Sequence, residues 1–351
     1  MWVRVRRWGV KRREWLVLAG GGLVGGCVPF GGGGSAQKWD RKTLESADAV
    51  VRRGGCKGWG AWEGGSLRKS WRTHERGPAL SITKAIAGLA CAKAVGEGWL
   101  SVDERAADTL GEWQGAGGKE SIRVSHLLQM TAGLEGGAGA LYRRVVADKG
   151  KSALALRLQD SPGSVFRYGP ACWEVLGELL HRKAVARGET LEKLLHRAVM
   201  RPVGLSSPDW RSDSKGRFYL STGTELTVTG LGRLGRTIGE LLGGRDSAGI
   251  PASAYREVIR PSSANAMFGG GVWRNRRASG GNAIEIEDAL DPPKSSGFWR
   301  GACISRSQPS SMVALVGSSG QRVFIWPDEG RVVARLGFSR SWKDGPLLRV
   351  V

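Results

Sequence analysis

Ser81 and Lys84 stand three positions apart at the start of an apolar stretch of this 351-residue chain. Hydrophobic residues recur there at the spacing of one helical face: Ile82, Ala85, Ile86, Leu89 and Ala90. Residues at i and i+3 of a helix are neighbours, so the hydroxyl of Ser81 and the amino group of Lys84 should lie together, as a nucleophile and a group that holds and moves its proton would. The alternative is that Ser81 is a helix N-cap and Lys84 a solvated surface residue.

Tyr168 lies between a Pro-Gly turn and the predicted start of another helix. A side chain on such a loop can face a cleft, although a packed tyrosine is the alternative. A nearby ammonium group favours the phenolate and lowers the tyrosine pKa from its usual value of about 10. Ser81, Lys84 and Tyr168 therefore form a self-consistent set for acyl transfer that needs no histidine.

A run of small residues precedes the alternating pattern at 322–326, and it consists of Gly317, Ser318, Ser319, Gly320 and Gln321. Small residues at the entry to an edge strand let a substrate carbonyl approach the backbone, so an amide there can bind an oxyanion. The alternative is a glycine bulge that closes the edge of a sheet.

Strand patterns lie towards both ends of the chain, and helical patterns lie between them. Glycine-broken strand patterns cover residues 45–76, and three more follow at 311–317, 321–326 and 331–337. Amphipathic helical patterns dominate residues 81–242. The order predicts an α/β (α+β) fold, in which an antiparallel sheet built from both chain ends is flanked by helices and a mostly helical lobe is inserted.

The first 27 residues have the character of an export signal. A basic segment precedes an apolar stretch at 15–24 that is too short to span a membrane. Residues 11–16 resemble a twin-arginine signal, and residues 24–27 resemble a lipobox that ends at Cys27. We expect export to the cell envelope and a lipid anchor on Cys27, followed by a flexible tether at 28–44. The alternatives are an incidental Cys27 with cleavage elsewhere, or an incorrectly assigned start.

The composition narrows the remaining function classes. The formal net charge is +21, which raises nucleic acid as a partner. The charges are scattered and no aromatic recognition box accompanies them, so we expect a solvated basic surface and no nucleic-acid partner. Four histidines and five cysteines show no metal-ligand spacing, and we expect neither a metal nor a cofactor.

Several segments of the chain, in the order in which they occur, resemble the serine β-lactamase and penicillin-binding-protein superfamily. The resemblance is to its branch of class C β-lactamases, DD-peptidases and related esterases. The resemblance covers residues 45–340 and rests on segments 81–110, 122–134, 162–180, 226–242, 267–273 and 314–337. It implies that Ser81 is the acylated nucleophile, Lys84 its proton-sharing partner and Tyr168 the general base. The backbone amides of Ser81 and Gln321 would form the oxyanion hole.

The same resemblance implies a β-lactamase/transpeptidase-like domain at 45–351. Its α/β lobe would comprise residues 45–80 and 255–351, and its helical lobe residues 81–254. The glycine-rich segment 267–273 would line the cleft, with Trp273 against the substrate.

Two departures bear on the substrate. Pro170 stands where the family's Y-x-N motif has asparagine, and Ser318, Ser319 and Gly320 stand where many members have K-T-G or H-x-G, so the resemblance implies that these four residues contact the substrate. The cation that would attract a substrate carboxylate is therefore missing, unless Arg274, Arg276, Arg277 or Arg322 replaces it.

We therefore expect an exported serine hydrolase that forms an acyl-enzyme on ester, amide or peptide-like substrates. Neutral short-chain esters should be preferred to penicillins. The alternatives are a β-lactamase or DD-peptidase, or a catalytically inactive relative that binds envelope polymers.

Overall fold

The computed structural model describes residues 39–142, 146–206, 210–276, 284–286 and 295–351. Within them lie eleven strands: β1 Cys56–Glu63, β2 Ser66–Trp71, β3 Arg76–Pro78, β4 Glu225–Thr227, β5 Phe268–Gly269, β6 Val272–Arg274, β7 Ile284–Glu285, β8 Ala302–Cys303, β9 Val313–Gly317, β10 Gln321–Trp326 and β11 Arg331–Gly337. The predicted signal peptide, Cys27 and the first part of the tether lie outside the described residues.

Twelve α-helices lie in the described ranges: α1 Arg41–Arg53, α2 Thr83–Gly96, α3 Val124–Leu128, α4 Ala138–Leu141, α5 Lys149–Leu154, α6 Ala171–Val185, α7 Leu191–Leu195, α8 Arg201–Val203, α9 Val228–Leu242, α10 Ala252–Val258, α11 Ser296–Arg300 and α12 Gly345–Leu348. A π-helical turn, His196–Met200, joins α7 to α8. In the part of the chain that the structure describes, none of these helices has the length and apolarity needed to cross a membrane.

Seven strands form one sheet in the order β2-β1-β11-β10-β9-β6-β5. Each neighbouring pair in it is antiparallel. Strands from the N-terminal part of the chain, β1 and β2, pair beside strands from its C-terminal part, which confirms the predicted sheet built from both chain ends. The two-stranded pair β3–β4 brings the segment before α2 next to the segment before α9.

Helix α9 packs directly on the sheet, although it was predicted to belong to the helical lobe at 81–254. A Cβ atom on Gly235 would lie 2.6 Å from Val332 and 2.8 Å from Val323. A Cβ atom on Gly232 would lie 2.7 Å from the Trp62 ring. The glycines of α9 therefore let the helix approach the sheet closely, and the predicted lobe boundary at 254 is wrong for this helix.

Helix α1 occupies a region that was predicted as tether and short strands. Asp40 caps it by accepting a hydrogen bond from the Thr43 amide at 2.8 Å. Leu44, Ala47 and Val51 face the core at helical spacing. Trp39 is buried as well, so the tether cannot extend to residue 44 as predicted.

Candidate active site

Ser81 lies in a 3₁₀ turn, Leu80–Ile82, immediately before α2. It is therefore not the helix N-cap that the sequence left open as an alternative. Leu80 has a left-handed backbone with φ of 50°, a conformation that costs free energy in a residue with a Cβ atom. The turn is held from behind by Thr83, whose hydroxyl lies 2.8 Å from the Thr224 hydroxyl. The surrounding fold thus imposes the position of the serine.

Lys84 points from the first turn of α2 back towards Ser81. Its Nζ atom donates hydrogen bonds to Ser81 Oγ at 2.9 Å and to the Ser221 carbonyl at 2.8 Å. The side chain is only 1% exposed, so Lys84 is not a solvated surface residue. Burial lowers the pKa of Lys84 to about 7, against an opposing effect of the Glu174 carboxylate. An amine with that pKa can accept a proton near neutral pH.

The glycine-rich segment 269–271 packs against the backbone of α2 behind Lys84. A Cβ atom on Gly271 would lie 2.5 Å from the Ala85 nitrogen, and one on Gly88 would lie 2.2 Å from the Gly270 carbonyl oxygen. These glycines permit two backbones to touch, which fixes α2 in place. The prediction that this segment lines the cleft is wrong, because its residues face the helix and are absent from the cleft wall.

Tyr168 lies in the cleft wall with Ser81, and Lys84 Nζ is 5.2 Å from the centroid of its ring. Behind it lies a cluster of buried aromatic rings, in which Trp273 is 5.8 Å and Phe268 6.1 Å from the Tyr168 ring centroid. Trp273 is only 1% exposed. The prediction that Trp273 packs on the substrate is therefore wrong, and its ring instead supports Tyr168.

Strand β9 ends beside the Ser81 turn, where Gly317, Ser318, Ser319 and Gly320 all line the cleft. A Cβ atom on Gly317 would lie 2.7 Å from the Ala79 carbonyl oxygen, so this strand end and the serine turn touch. Gln321 begins the next strand and is directed away. Its backbone amide donates to the Ser318 carbonyl, and its side chain pairs with the backbone of Gly337. The Gln321 amide is already engaged, so its predicted role in an oxyanion hole is wrong.

Pro170 is the N-cap residue of α6 and is buried. Its carbonyl accepts hydrogen bonds from the amides of Trp173 and Glu174, as the first helical turn requires. It is not part of the cleft wall, so the prediction that it contacts the substrate is wrong.

The cleft has a volume of about 610 Å³. Its described wall contains cationic side chains and no carboxylate, and the residues that form it are Leu80, Ser81, Leu141, Tyr142, Lys149, Tyr168, Arg211, Tyr219, Thr222, Val316, Gly317, Ser318, Ser319, Gly320, Arg322, Arg340 and Trp342. Two of these cations are compensated, Arg322 by Asp344 at 2.8 Å and Lys149 by Glu174 at 3.7 Å. Arg211 and Arg340 are exposed, and neither forms an ion pair within the described residues; the Arg211 guanidinium lies 5.7 Å from the centroid of the Tyr219 ring.

Arg211 and Arg340 are not among the arginines that the sequence analysis suggested as replacements for the missing family cation. Arg274 donates to the Ile259 carbonyl, and neither Arg274 nor Arg276 belongs to the cleft wall. Arg277 lies outside the described residues, and Arg322 is held in its ion pair. The sequence analysis did not identify Arg211 and Arg340, because each is isolated in the sequence and only the fold brings both to the same cleft.

A buried polar group behind Lys84 was also missed. Glu174 accepts hydrogen bonds from the amide and hydroxyl of Ser221, at 3.2 and 2.5 Å. Lys149, from α5, completes the group. A signal was present, because Glu174 interrupts an apolar helical pattern in α6, but the sequence did not say what it would face. No cluster of histidine, cysteine or acidic side chains suited to a metal ion occurs in the described ranges.

A seven-stranded antiparallel sheet with flanking helices is the architecture of a β-lactamase-type fold, and a serine that is hydrogen-bonded to a buried lysine lies at its cleft. The family model of that name, Beta-lactamase, matches residues 36–339. The chain belongs to the beta-lactamase family. No curated protein matches it by sequence at a significant level.

Solved structures share the fold at low sequence identity. EstCE1, described as a hydrolase with promiscuous acyltransferase activity, aligns at 16% identity and a TM-score of 0.62, over 88% of this chain and 97% of its own. A class C beta-lactamase from Rhodobacter sphaeroides aligns at 15% identity and 0.60, over 89% and 97%. An octameric penicillin-binding protein homologue from Pyrococcus abyssi aligns at 16% and 0.61, over 88% and 75%.

Proposed function

We propose that this protein is a serine hydrolase that cleaves ester bonds, and related amide bonds, through an acyl-enzyme on Ser81. The observation that carries the proposal is the 2.9 Å hydrogen bond from buried Lys84 Nζ to Ser81 Oγ, at the wall of an open cleft. A serine hydroxyl becomes a competent nucleophile when a neighbouring base takes its proton. Burial supplies that base by favouring the neutral amine of Lys84.

The proposed reaction has two steps, acylation of Ser81 and hydrolysis of the acyl-enzyme. In the first, neutral Lys84 accepts the Ser81 proton while Oγ bonds to the substrate carbonyl carbon, and collapse of the tetrahedral intermediate expels the alcohol with a proton returned from Lys84. In the second, Lys84 accepts a proton from the water that attacks the acyl carbonyl carbon, and returns that proton to Ser81 Oγ as the bond between Oγ and the acyl carbon breaks, which releases the acid and restores Ser81. Tyr168 lies beside Lys84, and we propose that it relays the proton to the leaving group, whereas the resemblance implied that Tyr168 itself is the general base.

The oxyanion hole is assigned to the backbone amides of Ser81 and Ser318. Ser318 replaces Gln321 because it is the first residue after β9 and lines the cleft, whereas the Gln321 amide donates to Ser318. Two backbone donors that converge on one carbonyl oxygen stabilise the charge that develops in the transition state.

A β-lactamase or DD-peptidase is the second candidate, and Arg211 and Arg340 favour it. The substrates of those enzymes carry a carboxylate, which a guanidinium group binds with two parallel hydrogen bonds. A catalytically inactive relative that binds envelope polymers is disfavoured by the intact bond between Lys84 and Ser81.

Intact mass after exposure to a fluorophosphonate and, separately, to a penicillin tests the proposal. We expect the fluorophosphonate adduct, mapped to Ser81 by peptide sequencing. An additional penicillin adduct on Ser81 would support the second candidate. No adduct with either reagent would contradict both and support the inactive relative.

Export and lipid anchoring remain part of the proposal, on the basis of the sequence of residues 1–27. We predict that Cys27 is lipidated when the full chain is expressed in a bacterium. Metabolic labelling with an alkyne fatty acid should mark the wild type and not Cys27→Ala. Equal labelling of the two proteins would contradict the lipobox assignment.

A further inference from the structure

Lys149 and Glu174 form an ion pair that is almost completely buried beside the proposed catalytic residues. Their side chains are each 4% exposed, and Lys149 Nζ lies 3.7 Å from Glu174 Oε1. Lys149 Nζ also lies 3.3 Å from the centroid of the Tyr219 ring. Removing two charges from water costs free energy that their attraction often fails to offset. The pair therefore needs an explanation other than stability.

Ser221 connects this pair to Lys84. Glu174 accepts hydrogen bonds from both the amide and the hydroxyl of Ser221, and the carbonyl of the same residue accepts the hydrogen bond from Lys84 Nζ at 2.8 Å. Ser221 is fully buried. A single residue thus transmits the position of the Glu174 carboxylate to the atom that orients the Lys84 amine.

We propose that Glu174 and Lys149 are positioning residues of the hydrolytic reaction, which hold the Ser221 carbonyl against Lys84 and set by their opposite charges how readily Lys84 accepts the Ser81 proton. The inference rests on the proposed function of Ser81 and Lys84. It assigns a role to two residues that the sequence motifs did not include.

The charges around Lys84 act in opposite directions. Its neighbours among the described titratable groups are Tyr168 from the loop before α6, Glu174 from α6 and Lys149 from α5. Burial is the largest influence and lowers the pKa of Lys84, the Glu174 carboxylate raises it, and the Lys149 ammonium lowers it. Because the reaction needs neutral Lys84, kcat/KM should rise with pH through the Lys84 pKa.

The two single substitutions therefore predict shifts of opposite sign. Glu174→Gln removes the charge that favours protonated Lys84, so the rise of kcat/KM should move to lower pH. Lys149→Met removes a charge that disfavours it, so the rise should move to higher pH. Each shift should be about one pH unit, as for other charges close to a titrating group. A role in packing alone would change the height of the profile and leave its midpoint in place.

The experiment measures the pH dependence of kcat/KM for p-nitrophenyl acetate and of the rate of fluorophosphonate labelling. Glu178→Gln is the matched control, because Glu178 is buried one turn further along α6 and pairs instead with Arg182 and Arg217. Its midpoint should equal that of the wild type. Lys149→Arg keeps the positive charge, so the midpoint of its pH profile should also equal that of the wild type, in contrast to Lys149→Met.

Opposite shifts in the two single variants, with both controls unchanged, support the proposal. Labelled variants whose midpoints stay at the wild-type value, or move in the same direction, overturn it while leaving the proposed function intact. A wild type that is never labelled overturns the proposed function and this inference together. If Glu174→Gln does not fold, the comparison of Lys149→Met with Lys149→Arg decides, since only the former should shift the midpoint upwards.

Discussion

At the scale of single residues, the proposed site depends on Lys84, whose pKa is lowered by burial. Lys84 is surrounded by protein and keeps two hydrogen bonds, to Ser81 and to Ser221. An exposed lysine has a pKa of about 10.4 and would be protonated at neutral pH, unable to act as a base. The proposed role of Lys84 as a base therefore depends on its buried surroundings and not on the motif alone.

The first prediction concerns the nucleophile. Ser81→Ala should lower kcat/KM for p-nitrophenyl acetate at least about a thousandfold, because no other group at this position can form the acyl-enzyme. Circular dichroism and thermal unfolding should stay close to the wild type, since the hydroxyl is replaced by a hydrogen within an otherwise unchanged turn. Turnover at the wild-type level by a folded Ser81→Ala protein would exclude Ser81 as the nucleophile.

At the scale of elements, the site is positioned by close contacts that only glycine allows. Gly271 lies on the backbone of α2 behind Lys84, and Gly235 brings α9 onto the sheet. Interiors are packed as densely as organic crystals, so these contacts leave no room for a larger side chain. The unusual glycine content of α9, visible in the sequence, is explained by this packing.

We predict that Gly235→Ala destabilises the protein by about 1–3 kcal/mol, because the new methyl group would overlap Val332 and Val323. The steric cost should exceed the gain of up to about 1 kcal/mol that alanine brings to a helix interior. Thermal unfolding should show a lower melting temperature. The control is Gly111→Ala, since a Cβ atom there meets nothing within 4 Å. A Gly235→Ala protein as stable as the wild type would contradict the packing argument.

At the scale of the whole molecule, the cleft collects charges from distant parts of the chain. Arg211 precedes β4 and Arg340 follows β11, yet both line the cavity that contains Ser81. The sequence predicted a preference for neutral esters because the family's usual cation is missing from the 318–320 segment. The assembled cleft supplies cations from elsewhere, so the expectation for the substrate changes.

We predict that an ester whose acyl chain ends in a carboxylate is hydrolysed with a higher kcat/KM than a neutral ester of equal length. Arg211→Gln and Arg340→Gln should each lower that value about ten- to hundredfold for the charged ester and little for the neutral one, since a charge-assisted hydrogen bond contributes about 1.5–3 kcal/mol. Arg256→Gln changes an exposed arginine outside the cleft wall and serves as the control. Faster hydrolysis of the neutral ester by the wild type would restore the original expectation.

The sequence by itself determined the family and the antiparallel sheet built from both chain ends, and it singled out Ser81 and Lys84, with which the proposed reaction begins. Those inferences rest on local patterns: the spacing of Ser81 and Lys84, and the periodicity of the strands in the last third of the chain. Leu44, Ala47 and Val51 show the same kind of periodicity in α1. The helix was not predicted, because glycine-rich segments on both sides of it indicated a tether and short strands.

The tertiary structure decided everything that depends on contacts between distant residues. It engaged the Gln321 amide with Ser318, buried Trp273 behind Tyr168, and brought Arg211 and Arg340 to one cleft. It also placed Glu174 and Lys149 behind Lys84, by way of Ser221. A sequence pattern specifies which face of an element is apolar, whereas burial, charge pairing and the direction of a backbone amide arise only when elements far apart in the chain pack together.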